Sequence, residues 1–465
     1  MPNTHDEILG ELIKIVGHEH VINSSDKLTN YREDKSPFPP TNPKIVVRPA
    51  NTSEVAELVR LANSKRVPII ARGGGFSLTG FNQSKTDDDI IIDCRRMNHV
   101  LDIDTVNFTV TAECGIIMKD LHDWVAEHGL YVNTVGIPIA YTTLGGVLSG
   151  VQGGGYPVTM CLAGTNLNFL LGLEVVLPTG STIKTNAGGA NINLQTSYLR
   201  GTNAPDFTGL FIGDGGSFGI KTEATLQIFP QAPTLTGGCW DFKDFSQLWD
   251  AILSLTALPT LPYENIAILE AKPMSLFYLT RTDTEREGAA MASVIDGLCK
   301  ESGGIRASDE MQRYAIDIGV GDPDYQDIFV NVTRGLVAFM TNKREFPQVY
   351  HQIREYLDQE IIENSLDDIG ISLMVYFSPV MRNAIYATMS IIYDEDESGS
   401  REACLNLQKR AYEKVVALGA SPEPHQGFAA SANTLGWSEP LRSFTEDLKR
   451  TLDPNDILNR GLWGL

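Results

Sequence analysis

The sequence is poor in cysteine, and none of its cysteines are clustered. The six cysteines are scattered along 465 residues without a C-x-x-C pair. Disulfide scaffolds, zinc sites and iron–sulfur sites need clustered thiols, so none of these is indicated. Isolated cysteines are typical of small buried side chains in a reducing compartment.

Positive charge and long apolar runs are also scarce. Lys and Arg total 37 against 58 Asp and Glu, which gives a formal net charge of -21. A field of this sign repels phosphate backbones and anionic membrane surfaces, so nucleic acid is not an expected partner. The segment Met1 to Gly17 lacks a basic start and a long apolar core, and no stretch has the length of a membrane span. We therefore expect a cytoplasmic protein.

The first half of the chain alternates short strands with helices. Glu54 to Arg66 has the apolar spacing of a helix. Val67 to Ala71 is a predicted strand that leads directly into glycines, and Ile90 to Ile92, Phe108 to Ala112 and Leu173 to Leu177 are further predicted strands.

Prolines and paired glycines between Gln231 and Gly238 suggest a domain boundary. Beyond it, helices are predicted at Phe242 to Leu255, Glu285 to Lys300 and Arg401 to Leu418. Strands are predicted at Ile266 to Leu269, Ile328 to Thr333, Ile371 to Phe377 and Tyr386 to Tyr393. Elements mixed at this spacing indicate an α+β domain with an antiparallel sheet.

Three glycine-rich stretches dominate the first half, and each one is attached to an apolar strand. They are Arg72 to Ser77, Gly145 to Tyr156 and Gly213 to Ile220. None is a P-loop, and none shows G-x-G-x-x-G opening a helix with a later acidic residue. Glycines cluster where the backbone must approach another group closely or adopt positive φ. Three such stretches in one half-chain point to a large phosphate-bearing cofactor, with consecutive N–H groups in the first stretch forming an anion nest.

The order of these segments resembles the FAD-binding domain of the vanillyl-alcohol oxidase / p-cresol methylhydroxylase superfamily. The matching pieces are KIVVRPANTSEVAELVRLANSKRVPIIARGGGFSLTG, TTLGGVLSG, LGLEVVLPTGS and LFIGDGGSFGIKTEATLQIFP. The final LDPNDILNRGLWGL resembles the closing segment of the family, with Arg460 where proline is usual.

The resemblance implies an α+β fold with a PCMH-type two-part FAD-binding domain over residues 1–232 (core 40–230). A cap over 233–420 would carry the substrate and an antiparallel sheet, and 421–465 would return to the FAD domain. It also implies that the first stretch wraps the pyrophosphate and that the other two line the flavin and its adenine–ribose part. The implied cofactor-binding residues are Arg72, Gly73, Gly74, Gly75, Phe76, Ser77, Pro138, Thr142, Gly145, Gly146, Ser149, Gly219 and Ile220.

Many family members attach flavin covalently through a histidine in the first loop. Phe76 occupies that position here. Members with a second, cysteinyl linkage carry the cysteine ahead of the second glycine stretch, where this chain has none, and Cys161 lies beyond it. Non-covalent FAD is therefore expected.

The hydroxy-acid branch of the family has a histidine metal pair and a later E-H-G-x-G. Pro424-His425-Gln426-Gly427 stands in that neighbourhood, so His425 is a candidate base or substrate contact. A hydrogen-bonded structural histidine is the alternative. No second histidine lies nearby, so no metal site is expected.

The phenol-oxidising branch holds its substrate with a Tyr-Arg pair and an aspartate, and neither motif is present here. The strand pair containing Tyr376 and Tyr393 resembles the substrate wall of that branch, and Tyr156 is a candidate wall residue beside the flavin. Arg382 and Arg313 could each clamp a carboxylate bidentately or form a surface ion pair.

The sequence thus predicts an FAD-linked oxidase or dehydrogenase that transfers a hydride from an alcohol-type carbon, in a 2-hydroxy acid or related substrate, to flavin. The alternatives are a benzylic or phenolic oxidase, and an electron-relay flavoprotein subunit of a larger complex. Expected partners are a small-molecule substrate and an electron acceptor (oxygen, a quinone, a cytochrome or an electron-transfer flavoprotein), with a homodimer as one option.

Overall fold

A computed structural model describes residues 4–132, 139–150, 169–186, 189, 199–200, 205–320, 331–380, 382–423 and 436–462. Of residues 4–7 and 318–320 the backbone alone is described. Three sheets organise this part of the chain, and each draws its strands from a separate stretch of the sequence.

The first sheet has four strands in the order β1-β2-β4-β3. These strands are β1 (Val21–Ile22), β2 (Ile45–Val47), β3 (Ile69–Arg72) and β4 (Ile90–Asp93), accompanied by helices α1 (Thr4–Val16), α2 (Ser25–Leu28) and α3 (Thr52–Lys65). Strands β2 and β3 run parallel to β4. The Asn51 side chain accepts from the Glu54 N–H and caps α3, whose apolar face packs on the sheet.

The second sheet has six antiparallel strands in the order β5-β6-β10-β8-β9, with β7 also paired to β10. They are β5 (Val100–Asp104), β6 (Thr109–Glu113), β7 (Leu130–Val132), β8 (Leu170–Val176), β9 (Thr182–Lys184) and β10 (Ile220–Pro230). Helices α4 (Met118–Ala126) and α5 (Leu144–Gly150) contribute to its core.

The third sheet has eight antiparallel strands in the order β14-β11-β13-β12-β16-β17-β15-β18. They are β11 (Thr234–Phe242), β12 (Asn265–Glu270), β13 (Met274–Thr282), β14 (Ile305–Arg306), β15 (Arg334–Asn342), β16 (Ser372–Val380), β17 (Ala384–Ile392) and β18 (Ser421–Pro422). The helices of this region are α6 (Phe245–Ala257), α7 (Glu285–Glu301), α8 (Asp309–Val320), α9 (Phe346–Glu363) and α10 (Ser400–Ala417).

The last segment returns to the first sheet. After α11 (Glu439–Leu452), the Ile69 N–H donates to Ile457 and the Asn459 N–H donates back to Ile69. The buried Asp453 carboxylate shapes this turn by accepting from the N–H groups of Ile457 and Leu458 and from Lys449. A turn fixed by these bonds does not require the proline that Arg460 replaces.

The mixed fold class is confirmed, although one strand was misplaced and several strands, among them β11 and β13, were not predicted. Residues 331–333 are not in a strand, and the strand predicted at Ile328 to Thr333 lies instead at Arg334–Asn342. Strand β11 begins inside the stretch interpreted as a boundary, and its paired glycines allow Tyr278 and α8 to pack closely. The domain boundaries at 232 and 420 stay a prediction. Among the described helices, none is both long and apolar enough to cross a bilayer.

Candidate active site

A cavity lies between the glycine-rich loops and the third sheet. It encloses about 1490 Å³, including the open space at its mouth. One side is built from the loop after β3, from α5 and from the loop that leads into β10. The opposite side is built from β15, β16, β17 and the residue that follows β18.

The first glycine stretch packs directly against the segment before α5. A Cβ atom at Gly73 would lie 2.0 Å from the Thr143 Oγ1 atom, and one at Gly74 would lie 1.7 Å from the Tyr141 carbonyl oxygen. Gly75 has a φ of +78°, which side chains rarely adopt. The first stretch and the segment before α5 are therefore joined by contacts that only glycine permits.

Arg72 organises this loop from beneath. Its guanidinium donates to the carbonyl oxygens of Asn82 and Glu33 at 3.0 and 2.9 Å, and it lies 5.6 Å from the centre of the Tyr31 ring. The side chain is buried and borders the cavity. Its bonds to two carbonyls give Arg72 a role in shaping the loop.

A buried ion pair fixes the third stretch. The Lys221 Nζ atom lies 2.6 Å from an Asp214 oxygen, and both side chains are 1% exposed. The same carboxylate accepts from the Gly216 N–H at 3.0 Å, and Gly216 has a φ of +75°. Lys221 itself borders the cavity, so a positively charged side chain lies at this wall.

These features fit the dinucleotide cofactor expected from the sequence. At Gly150 and Gly216, both in the cavity wall, a Cβ atom would meet nothing within 4 Å and would extend into open space. A wall of bare backbone lets a flat ring or a pyrophosphate approach closely. The glycine side of the cavity is therefore suited to hold FAD.

The opposite wall results from the alternation of side chains along β15, β16 and β17. Odd-numbered residues such as Val337, Phe377 and Met389 pack into the core beneath the helices. Even-numbered residues face the other way, where Leu336, Tyr376 and Tyr386 pack with Leu78 of the first loop. Because these strands are neighbours, they present Arg334, Tyr376 and Tyr386 to one cavity, and Glu423 joins them from the end of β18.

Hydrogen bonds connect this wall. The Tyr386 hydroxyl donates to a Glu423 oxygen at 2.7 Å. Burial raises the pKa of the Glu423 carboxyl from 4.5 to about 7, although the bond from Tyr386 opposes the shift. Burial likewise raises the pKa values of Tyr376 and Tyr386. The wall thus combines a buried guanidinium, two neutral phenols and a carboxyl group that titrates near neutrality.

The structure brings together every described residue that the sequence predicted at the cofactor. All of the following border the cavity: Arg72, Gly73, Gly74, Gly75, Phe76, Ser77, Thr142, Gly145, Gly146, Ser149, Gly219 and Ile220. Tyr376, predicted as a substrate-wall residue, borders it as well. Their roles in binding stay predictions.

Two of the predicted catalytic residues lie elsewhere. Tyr393 is buried in the core on the helix side of the third sheet. The Arg382 guanidinium donates to the carbonyls of Thr256, Leu258 and Pro259 at the end of α6. Neither is among the residues that line the cavity. Pro138, Tyr156, Cys161 and His425 lie outside the described residues.

The sequence did not predict Arg334, Tyr386 or Glu423 at the site. A signal for Tyr386 existed, because Thr388 and Ser390 alternate with apolar residues along β17 and mark a polar face. Glu423 lies two positions before the candidate His425. Arg334 begins a strand that was placed too early. In the described part of the chain, no group of three or more His, Cys, Asp or Glu is placed to hold a metal ion.

Comparison with known proteins agrees with this geometry. A family model described as an FAD binding domain matches residues 43–186. Glycolate oxidase subunit GlcD of Bacillus subtilis is 30% identical over 228 residues, which cover 49% of this chain and 46% of that protein. The chain thus matches about half the length of GlcD. The D-2-hydroxyglutarate dehydrogenase of Stutzerimonas stutzeri is 24% identical over 98% of this chain and 99% of its own length.

Among solved structures, p-cresol methylhydroxylase with bound substrate superposes with a TM-score of 0.82 at 17% identity, covering 100% of this chain and 98% of that one. A likeness at this identity establishes the fold. Residues 43–186 match an FAD binding domain, and the whole chain has the fold of p-cresol methylhydroxylase, in agreement with the resemblance seen in the glycine-rich segments. FAD is its cofactor.

Proposed function

We propose that this protein is an FAD-dependent oxidoreductase that oxidises the CH–OH group of a 2-hydroxy acid or a related small anion. The observation that carries the proposal is the buried guanidinium of Arg334 in the wall that faces the glycine-rich loops. A guanidinium binds a carboxylate bidentately, and burial strengthens that interaction. GlcD and D-2-hydroxyglutarate dehydrogenase, whose names indicate hydroxy-acid substrates, support this class.

The described residues divide the work between two walls. The residues from Arg72 to Ser77, together with Gly145, Gly146, Gly219 and Ile220, would hold the cofactor. When bound, FAD supplies the acceptor for the hydride that leaves the alcohol carbon. Arg334 would bind the substrate carboxylate, while Tyr376, whose pKa burial raises, would stay protonated and donate a hydrogen bond. Two fixed contacts would orient the CH–OH group.

The test is anaerobic reduction of the protein-bound flavin, measured as loss of absorbance at about 450 nm. The panel contains D- and L-lactate, glycolate, D-2-hydroxyglutarate, aryl alcohols and 4-alkylphenols. We expect a hydroxy acid to bleach the flavin and its esterified, uncharged analogue to do so far more slowly. A flavin bleached equally by acid and ester contradicts the role of Arg334.

Oxidation of a phenolic or benzylic substrate is the second candidate. It is favoured by the two tyrosines of the cavity wall, because phenol hydroxyls beside a guanidinium also suit a phenolate oxygen. Bleaching by 4-alkylphenols alone would support it. Bleaching by a partner flavoprotein or cytochrome, with no small molecule active, would support the relay function instead.

A further inference from the structure

Glu423 holds an unusual position among the buried carboxylates of the third sheet. It directly follows β18, and its backbone N–H donates to the Ala338 carbonyl at 2.8 Å, which continues the pairing with β15. The residue is 6% exposed and lines the cavity. Pro422, the residue before it, restricts the backbone at this point. The backbone that carries the Glu423 carboxylate at the cavity is therefore held in place.

Glu264 provides a comparison within the same sheet. It is also 6% exposed, but it lies 2.7 Å from the guanidinium of Arg281 and is not among the residues that line the cavity. Burial raises the pKa of Glu264 as well, but the guanidinium of Arg281 opposes that shift, and a carboxylate paired in this way outside the cavity has a structural role. Glu423 instead accepts a hydrogen bond from the neutral phenol of Tyr386. A phenol orients a carboxylate without fixing its charge, so Glu423 can gain and lose a proton.

In the part of the chain that the structure describes, the groups that face Glu423 come from four elements. The Tyr386 hydroxyl on β17 donates a hydrogen bond to it. Tyr376 on β16 and Tyr412 on α10 interact with its charge electrostatically. Arg334 on β15 borders the same cavity. Burial raises the pKa values of all three phenols, and arginine stays protonated, so within this set Glu423 is the group that titrates near pH 7.

We propose that Glu423 is the catalytic base that takes the hydroxyl proton of the substrate, and that Tyr386 is the positioning residue that aims its carboxylate. This assignment rests on the proposed oxidation of a CH–OH group. The O–H bond of the substrate breaks and a new O–H bond forms on Glu423. The hydrogen on the carbon leaves with its electron pair to the flavin, and the C–O single bond becomes the carbonyl of a 2-oxo acid. The substrate loses two electrons and two hydrogens, and both are accounted for.

The test compares four flavin-loaded variants with the wild type: Glu423→Gln, Glu423→Asp, Tyr386→Phe and, as matched control, Glu264→Gln. Loss of a general base lowers the rate constant of flavin reduction by about 10²- to 10⁴-fold. We expect this loss in Glu423→Gln, with the substrate affinity changed far less, and partial recovery in Glu423→Asp. Glu264→Gln should reduce at the wild-type rate. Tyr386→Phe should keep Glu423 but shift the pH profile, because one hydrogen bond to the anion is lost.

The pH profile separates a base from a structural residue. The wild-type rate constant should fall as pH drops below about 7, where Glu423 becomes protonated, and this fall should be missing in Glu423→Gln. A Glu423→Gln enzyme with the wild-type rate, or with the low-pH fall intact, overturns the proposal. Should the fall vanish in His425→Ala instead, the base is His425.

Calorimetry gives a readout that needs no turnover. Binding of a 2-oxo acid brings a negative charge into the cavity, which favours the protonated form of Glu423. Titrations near pH 7 in two buffers of different ionisation enthalpy should show proton uptake by the wild type and none by Glu423→Gln. Equal uptake by both proteins would contradict the assignment.

The same experiments keep the two proposals distinct. If a phenol and no hydroxy acid reduces the wild-type flavin, the proposed substrate class fails, and Glu423→Gln measured on the phenol judges the base. If no small molecule reduces it, both proposals fail together.

Discussion

A side-chain carbon at Gly74 would lie 1.7 Å from the backbone carbonyl oxygen of Tyr141, so the first glycine loop and the segment before α5 touch through bare backbone. Gly74→Ala must push these segments apart, because backbone atoms cannot yield as a flexible side chain does. We expect the purified variant to lose most of its flavin, measured by the ratio of absorbance at about 450 nm to protein absorbance.

Gly297→Ala is the matched control. Gly297 lies in helix α7, and a Cβ atom there would meet nothing within 4 Å. Alanine is the better helix former by up to about 1 kcal/mol, so this variant should keep its flavin and unfold no earlier than the wild type. A Gly74→Ala protein with a full complement of flavin would show that the loops can separate without loss of binding.

Phe76 bears on whether the flavin is bound covalently. It borders the cavity with its ring centre 6.2 Å from that of Tyr141, at the position that the resemblance of the sequence assigns to a linking histidine. A phenyl ring has no nucleophilic atom with which to form a bond to flavin. We expect acid denaturation followed by ultrafiltration to release the flavin into the filtrate. Yellow colour that stays with the precipitated protein would reveal a covalent bond elsewhere.

The glycine wall could be predicted from sequence because its chemistry is local. Gly74 and Gly75 follow a strand, and close approach or positive φ is a requirement of the backbone at those positions. No long-range information was needed to place Arg72 to Ser77 at a cofactor.

The cap wall could not be predicted in the same way. Arg334, Tyr376, Tyr386 and Glu423 meet because β16, β17, β15 and β18 are neighbours in an order that differs from the chain order. The face of each strand was nevertheless open to inference. Tyr386 and Tyr393 are the two ends of one predicted strand and are an odd number of positions apart. An odd spacing places two side chains on opposite faces of a sheet. Tyr393 was therefore not a partner for the wall that Tyr386 occupies.

We expect Arg382 to act as a structural residue and not as a clamp for a substrate carboxylate. Its guanidinium satisfies carbonyls at the end of α6, where helices leave acceptors without partners. We expect Arg382→Met to lower the free energy of unfolding in urea by about 1 kcal/mol, since the group is exposed. Its dissociation constant for the substrate should equal that of the wild type. Arg344→Met, at another exposed arginine, should change neither quantity; weaker substrate binding by Arg382→Met alone would restore its role as a clamp.

Arg334 should behave in the opposite way. Removing a buried charge that pairs with a ligand costs about 2–5 kcal/mol of binding, so Arg334→Met should weaken binding of a 2-oxo acid by at least about 30-fold. Arg334→Lys keeps the charge and loses the bidentate geometry, so its affinity should lie between the two. The flavin absorbance change on titration with the 2-oxo acid measures both. Equal affinities in all three proteins would remove Arg334 from the substrate site.

Glu423 links the site to the stability of the fold. Burial raises its pKa from 4.5 to about 7, so the folded protein holds the proton more tightly than the unfolded chain does. This contribution is fully present below pH 4.5 and is lost as pH rises through 7, and it amounts to about 3 kcal/mol at most. Glutamine cannot ionise and escapes the loss. We therefore expect Glu423→Gln to gain stability relative to the wild type between pH 5 and pH 8.

The wild type and Glu423→Gln are unfolded with denaturant at pH 5 and at pH 8. The gain is the amount by which the change in the free energy of unfolding between these pH values differs between the two proteins. Asp34, whose pKa burial raises to about 6, titrates in both proteins and cancels from the comparison. Tyr376, Tyr386 and Tyr412 have pKa values raised above 10 and do not contribute in this range. Stability curves that stay parallel from pH 5 to pH 8 would mean that Glu423 ionises as easily in the folded protein as in water. A carboxyl that already ionises well below neutral pH would be a weaker base, and the mechanism proposed for it would lose its physical basis.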